Sequence, residues 1–391
     1  MKQAVILAAG EGQRLRPFTV TRPKAMISIA DKPILQYIVE SLVQAGIRDI
    51  VIVAGYRKEQ VFDYMGSGDK FGVKIAYAVQ TQQLGTAHAL VQVKEMVDDR
   101  FLVLPGDNLI EANTIIDFIN EEPEAVLVRR VDDPSRYGVV ETKGSEVKAI
   151  IEKPKEAGSN LVNTGIYAFS KEIFEYIEGV LDIPDVLNNM IASGHTIKAV
   201  ETEGTWLDVV YPWDIISLNS AVLQNVTAKL GGTIEEGVSI KGKVIINEGT
   251  VIRANSCIYG PVVIGSGCDI GPHTCIMPST SIGDNVTIAS FTQLKNSVIG
   301  DDVTLGPGCY ISDSVIDKGC VIKGRFTALG GRSELRISGE CPDVSVGIIM
   351  GEDCRVESSV TAQPGVVAGN HCQIQFMKIL GSHLPDNSLV Y

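Results

Sequence analysis

The chain has 391 residues, too many for one ordinary core, so at least two domains are expected. A hydrophobic content of 45% and a charged content of 21% are those of a globular protein, and a net charge of −13 argues against nucleic acid as a partner. No stretch has the apolar length needed to cross a bilayer, and the run Ala4–Ala9 is too short for a signal-peptide core, so a cytoplasmic enzyme without a membrane partner is expected.

The first predicted strand, Val5-Ile6-Leu7-Ala8-Ala9, stops at Gly10 and Gly12. Arg14, Arg16, Arg22 and Lys24 follow as a basic cluster in an acidic chain. Glycines let a backbone approach a phosphate closely and aim N–H groups at its oxygens; Arg14 adds a planar fork of donors and Lys24, after Pro23, a point charge. Two other phosphate loops are excluded. A dinucleotide fingerprint needs a third glycine where Leu15 stands, and Gly237–Lys243 fits GxxxxGK but continues with Val244 outside any strand-to-helix context. The string LAAGEGQRLRP with the later RPK resembles the signature of the sugar-1-phosphate nucleotidylyltransferases, which join a nucleoside triphosphate to a sugar 1-phosphate. The resemblance implies a Rossmann-like α/β domain, nucleotide contacts at Leu7, Ala9, Gly10 and Gly12, and catalytic parts for Arg14 and Lys24 on the triphosphate.

Pro33–Ala45 has apolar residues at helical spacing, Gly46 ends it, and Asp49–Ala54 is a strand. Lys74–Val79, a helix near Ala87–Val97 and the strand Phe101–Leu104 continue the alternation, which predicts a mostly parallel sheet with ligands at the carboxyl ends of its strands. The segment QLGTAHA, Gln83 to Ala89, is similar to the uracil-reading part of bacterial N-acetylglucosamine-1-phosphate uridylyltransferases. That likeness implies base contacts at Gln80, Gly85 and Thr86, with His88 structural.

Leu104-Pro105-Gly106-Asp107 is a buried strand stopping at an acid, and alone it reads as a turn. It resembles the family's GD motif, and Trp206-Leu207-Asp208 the family's W-L-D, which implies that Asp107 and Asp208 hold Mg²⁺, a cation suited to one or two carboxylates plus phosphate oxygens and water. Ile150-Ile151-Glu152-Lys153-Pro154 and Asn163-Thr164-Gly165 follow in the family's order. The implied sugar-phosphate contacts are Gly138, Glu152, Lys153, Asn163 and Thr164.

Beyond a helical linker, Tyr211–Val226, isoleucine or leucine recurs every six residues from Ile234 to Leu294, with a small or β-branched residue two positions earlier, such as Val244, Thr250 and Cys268. This period describes a parallel β-helix whose coils take three hexads each. Its left hand comes from a resemblance to hexapeptide acyltransferases. The expected domains are 1–228 and 229–391. The register slips by one at Ile299 and again at Ile316 and resumes at Met350, while Lys323–Gly347 reads as a loop. All eight cysteines lie between Cys257 and Cys372 without a C-x-x-C pair, and five of them occupy the small inward slot, so neither a metal nor disulfides are expected.

The two-domain plan resembles bifunctional bacterial and archaeal enzymes that also transfer acetyl groups. Their catalytic histidine would fall on Pro307, five residues before Ser312-Asp313-Ser314, and proline cannot act as a base. A non-catalytic regulatory subunit of the same architecture would show degenerate loops, whereas this chain keeps Arg14, Lys24, Asp107 and Asp208. The expected reaction takes UTP or dTTP and a glucose or N-acetylglucosamine 1-phosphate. The resemblance to hexapeptide proteins implies three-fold packing, hence a homotrimer or higher homo-oligomer. Truncation after about Val226 is expected to give a soluble, less oligomeric first domain that retains Arg14, Lys24, Asp107, Lys153 and Asp208.

Overall fold

The computed structural model describes residues 1–121, 124–154, 156, 158–334 and 343–391. The chain forms two compact units. The first comprises Met1–Glu11, Thr21–Ile27 and Pro33–Asp208; the second comprises Gly12–Val20, Ser28–Lys32 and Val209–Tyr391. The division at Asp208 comes ahead of the linker helix, which belongs to the second unit together with two short N-terminal segments.

In the first unit, β1 (Gln3–Ala8) is buried along nearly its whole length, as its apolar run requires. Helix α1 (Ile34–Gln44) buries Ile34, Leu35, Ile38, Val39 and Leu42, a stripe at helical spacing. Then come β2 (Asp49–Ala54), α2 (Lys58–Met65), β3 (Lys74–Val79), α3 (Thr86–Val91) and β4 (Arg100–Pro105). The helix expected to reach Val97 ends at Val91 and tightens into i→i−3 turns. Gln3 holds this turn, donating to the Met96 carbonyl and accepting from the Asp98 N–H. The chain continues through β5 (Asn108–Ile110), α4 (Ala112–Phe118), β6 (Ala125–Arg130), β7 (Gly138–Lys143), β8 (Glu146–Glu152) and β9 (Leu161–Ser170). Last are α5 (Ile183–Ala192), β10 (Lys198–Glu201) and β11 (Trp206–Asp208).

The main sheet has the order β3-β2-β1-β4-β9-β6-β10-β8-β7. It is parallel through β3-β2-β1-β4, where strands alternate with helices. Strand β9 is antiparallel to β4 and β6, and β7 to β8, the latter two joined by the tight turn at Gly144 and Ser145. The register pairs Leu7 with Pro105, so the segments after β1 and β4 leave the sheet side by side at one edge.

In the second unit, parallel strands form three sheets of eight, nine and eight strands among the described residues. Each inward isoleucine sits on its counterpart one coil away: Ile246 on Ile264, Ile252 on Ile270, Ile258 on Ile276. Two coils are one residue shorter, pairing Ile282 with Ile299 and Ile299 with Ile316, which is the slip in the sequence period. This is a left-handed β-helix with a buried column of Ile, Leu and Val. Cys268, Cys309, Cys320, Cys354 and Cys372 are buried in that column. The β-helix runs on past the loop boundary at Lys323, since Phe326 and Ala328 are buried in phase and Thr327–Ala328 is a strand. The excursion is an antiparallel hairpin of Gly331–Glu334 and Asp343–Val346, whose intervening part lies outside the described residues. Gly237–Lys243, the rejected phosphate loop, is part of a coil, with the Lys243 amine donating to the Gln224 carbonyl. Helix α6 (Asp214–Gln224) is fixed in this unit by Asn219, which accepts from the Ala30 N–H and donates to the Ser279 carbonyl. No helix among the described residues is long and apolar enough to cross a membrane.

Candidate active site

Two loops meet at the carboxyl edge of the first unit. After β1 the chain passes through Ala9 and Gly10; after β4 it turns at Gly106 and Asp107. The Gly106 N–H donates to the Leu7 carbonyl at 2.8 Å, and a Cβ on Gly106 would lie 2.8 Å from the Ala8 Cβ, so only glycine lets the two strand ends come this close. Lys24 stands on a short 3₁₀ turn after buried Pro23 and forms an ion pair with Asp107, both side chains part-exposed. The pair lies in a cleft of about 320 Å³ whose walls include Leu7, Ala9, Gly10, Gln80, Gly85, Thr86, Gly165 and Tyr167. Where a Gly10 Cβ would point there is open space, room for a ligand.

Asp208 reaches the same place by strand pairing. Strand β11 runs antiparallel to β5 with Asp208 opposite Asn108, the residue after Asp107. The Tyr137 hydroxyl donates to Asp208 Oδ1 at 3.0 Å, and the buried Asn108 amide donates to the Thr164 carbonyl. Two carboxylates one residue apart across a strand pair fit Mg²⁺, which takes hard oxygen donors and completes its shell with phosphate and water. The one cluster of three or more ligating side chains among the described residues, Glu352, Asp353 and His371, lies in the second unit and shares none of these groups.

On the base side, Gln80 is 3% exposed and its Nε2 faces both the Gly85 carbonyl and His88 Nδ1. His88 thus holds Gln80, in keeping with its expected structural part. Gly85 has φ +151°, and a Cβ there would meet the Leu181 carbonyl oxygen at 2.3 Å. Thr86 is anchored from a distance: its N–H and hydroxyl donate to Asp182 Oδ1, and its oxygen accepts from the Ile183 N–H.

Among the residues expected to hold the sugar phosphate, Gly138 pairs with Glu152 across β7 and β8, and a Cβ on Gly138 would lie 2.9 Å from Glu152 Oε2. Lys153 adopts φ +42°, its N–H donates to the Tyr137 carbonyl, and its amine is 3.9 Å from Glu152. Asn163 donates to the Tyr167 hydroxyl at 2.7 Å and accepts from the Gly165 N–H. Burial pushes the Tyr167 phenol well above its ordinary pKa, so it stays protonated. Thr164 departs from expectation. It is 2% exposed and its hydroxyl donates to the Leu127 carbonyl, because the irregularity between Asn163 and Tyr167 turns it into the sheet; it braces the strand instead of facing a sugar.

Gly12 and Arg14 lie in Gly12–Val20, part of the second unit. Gly12 has φ +74°, and its carbonyl accepts from the Leu15 N–H and the Thr19 hydroxyl, closing the loop. Arg14 lines a cavity of about 430 Å³ with Pro17, Val367, Gly369, His383 and Asp386. Four residues went unread in the sequence: Tyr137, Tyr167, Asp182 and Gln83, the last in the cleft with its amide on the Gln80 carbonyl. Tyr137, directly before Gly138, and Gln83, the first residue of QLGTAHA, carried a local signal; Tyr167 and Asp182 did not.

The Nucleotidyl transferase family matches residues 3–225, and the GMPPB C-terminal domain matches residues 258–371. Over 99% of its length the chain is 37% identical to the bifunctional protein GlmU of Methanococcus maripaludis, 97% of which is covered. It is 33% identical to a bifunctional sugar-1-phosphate nucleotidylyltransferase/acetyltransferase of Sulfurisphaera tokodaii, with 95% of each chain covered. Among solved structures, a Bacillus anthracis protein described as a glucose-1-phosphate thymidylyltransferase superposes with a TM-score of 0.53 at 32% identity, covering 58% of this chain and 97% of that one.

Proposed function

Because the chain belongs to the nucleotidyl transferase family, we propose that it transfers a nucleotidyl group from UTP or dTTP to a glucose or N-acetylglucosamine 1-phosphate, releasing pyrophosphate. What supports this most is the Lys24–Asp107 pair at the joined ends of β1 and β4, with Asp208 held one residue away by the pairing of β11 and β5. The sugar phosphate arrives already ionised, so its oxygen needs no protein base to attack the α-phosphorus. The residues therefore bind, orient and neutralise charge. Lys24 and Arg14, with Leu7, Ala9, Gly10 and Gly12, grip the triphosphate, Gln80, Gly85 and Thr86 contact the base, and Gly138, Glu152, Lys153 and Asn163 take the sugar phosphate. Asp107 and Asp208 are the carboxylates that would hold the metal, and the Lys24 amine beside Asp107 is placed to contact phosphate. Bound there, magnesium would supply charge neutralisation for the triphosphate and the leaving pyrophosphate.

The test is a matrix of UTP, dTTP, ATP and GTP against glucose, glucosamine and N-acetylglucosamine 1-phosphates, read as pyrophosphate release with added Mg²⁺. Release confined to UTP or dTTP with glucose or N-acetylglucosamine 1-phosphate is expected; no release in any cell overturns the reading. Acetyl transfer is a second reading, favoured by relatives named as bifunctional over both domains. Pro307 stands against it, and release of free thiol from acetyl-CoA with glucosamine 1-phosphate decides the matter. The enzyme so read is cytoplasmic and assembles as a homotrimer or higher homo-oligomer through its β-helix.

A further inference from the structure

We propose that Asn370, near the end of the β-helix, is a positioning residue for nucleotidyl transfer, because it holds the loop that carries Arg14. This rests on the reading above, in which that loop grips the triphosphate. Gly12–Val20 packs in the same compact unit as the β-helix, with Leu15, Phe18 and Thr19 nearly fully buried. A side-chain bond from the coils reaches it from Asn370, whose Nδ2 donates to the Pro17 carbonyl at 3.2 Å across 353 residues of sequence. Asn370 is 2% exposed.

The choice of residue at this position carries the argument. At this corner of the coils a side-chain oxygen accepts the N–H of a residue one coil earlier. Asp284 Oδ1 accepts from Ser266, Asp301 Oδ1 from Asp284, Asn370 Oδ1 from Glu352 and Asp386 Oδ1 from Asn370. The ladder needs only an acceptor, and aspartate supplies it at 284, 301 and 386. At 370 the chain uses an amide, which keeps the acceptor and adds a donor. That added donor is the group bonded to Pro17. Pro17 lies three residues after Arg14, and both line the cavity formed with Val367, Gly369 and Asp386. The coils therefore fix the backbone from which Arg14 projects.

Asn370→Asp keeps the ladder oxygen, as the chain itself does at three other rungs, and sets a carboxylate against the Pro17 carbonyl. Asn370→Ala removes the donor without burying a charge, so the two variants harm the coil differently and share the loss of the Pro17 bond. Both are expected to raise the KM for the triphosphate by about tenfold while the sugar-phosphate KM stays within about twofold, the effect of leaving one buried acceptor unpaired beside a binding loop. Hydrogen exchange over residues 12–20 should quicken in both, and Asp301→Asn, which changes a rung with no loop on it, should behave as the parent. All assays use the full chain with UTP and dTTP. Unchanged triphosphate KM in either folded Asn370 variant, or equal loss for both substrates, overturns the proposal. Arg14→Ala separates the two readings. If it raises the triphosphate KM while the Asn370 variants do not, positioning fails and the assigned function stands; if it has no effect, both fall.

Discussion

Asp107 and Asp208 lie 101 residues apart in sequence, and each has a different support: Lys24 pairs with the first, and the Tyr137 hydroxyl donates to the second. Asp107→Asn or Asp208→Asn should lower kcat at saturating Mg²⁺ by about a hundredfold or more with melting unchanged, as loss of a metal clamp requires. Near-parental turnover would remove that acid from the site. Lys153, 42% exposed and proposed to hold the sugar phosphate, should act on one substrate only. Lys153→Ala is expected to raise the sugar-phosphate KM about tenfold or more and leave the triphosphate KM alone, as loss of a charge-assisted contact to one substrate does. Glu124 bears on stability instead. It is 8% exposed, its Oε1 accepts the Ser170 N–H and hydroxyl, and its Oε2 is buried without a partner. Burial pushes its carboxyl above the ordinary 4.5, so the folded state holds the proton more tightly than the unfolded state. Its contribution is full below about pH 4.5 and is lost as pH rises through the folded pKa. Glu124→Gln should therefore melt higher than the parent at pH 7, by about 2 °C or more, and the gap should close in acid. A constant gap across pH would locate the effect elsewhere.

At the scale of elements, the closeness of β1 and β4 decides the site. The Lys24–Asp107 pair requires both strand ends to leave the sheet together, and Gly106 permits that approach. Gly106→Ala puts a methyl 2.8 Å from the Ala8 Cβ and 3.0 Å from the Leu7 oxygen, a contact that real atoms do not keep. The strand ends must then part, at about 1–3 kcal/mol of stability, and displace Ala9, Gly10 and Asp107 together. Urea unfolding and pyrophosphate release should both register the change, and a variant with normal turnover would show that the spacing has slack. The β-helix follows another logic. Its register repeats so strictly that removing one residue per turn, as between Ile282 and Ile299, shortens one corner and leaves the inward column intact.

At the scale of the molecule, Gly12–Val20 belongs with Val209–Tyr391, so a cut between the two expected domains also parts this loop from the unit it packs in. A chain cut after Val226 removes Asn370 and the coil against which the loop packs. Such a fragment should be monomeric by light scattering, where the intact chain should run as a trimer. Its triphosphate KM should rise by about tenfold or more, since it loses the same bond as the point variants and the surrounding packing. A monomeric intact chain would end the assembly proposal, and a fragment with parental KM would end the dependence on the coils.

By itself the sequence determined what depends on local order. The run Val5–Ala9 is apolar because β1 is buried, and the six-residue period is visible because each coil sets its inward residue on the last. The one-residue slips at Ile299 and Ile316 shift the phase of that period, so they too could be read, as could the cysteines in the small slot. Tertiary structure decided what depends on chains meeting at long range. Thr164 turns its hydroxyl to Leu127 because of an irregularity in β9, Thr86 is anchored by Asp182, and Asn370 bonds Pro17 across 353 residues. Periodicity reports which face of a strand is buried, not which distant backbone passes beside it. An asparagine in a ladder of aspartates gives no sign of its partner until the loop lies against it.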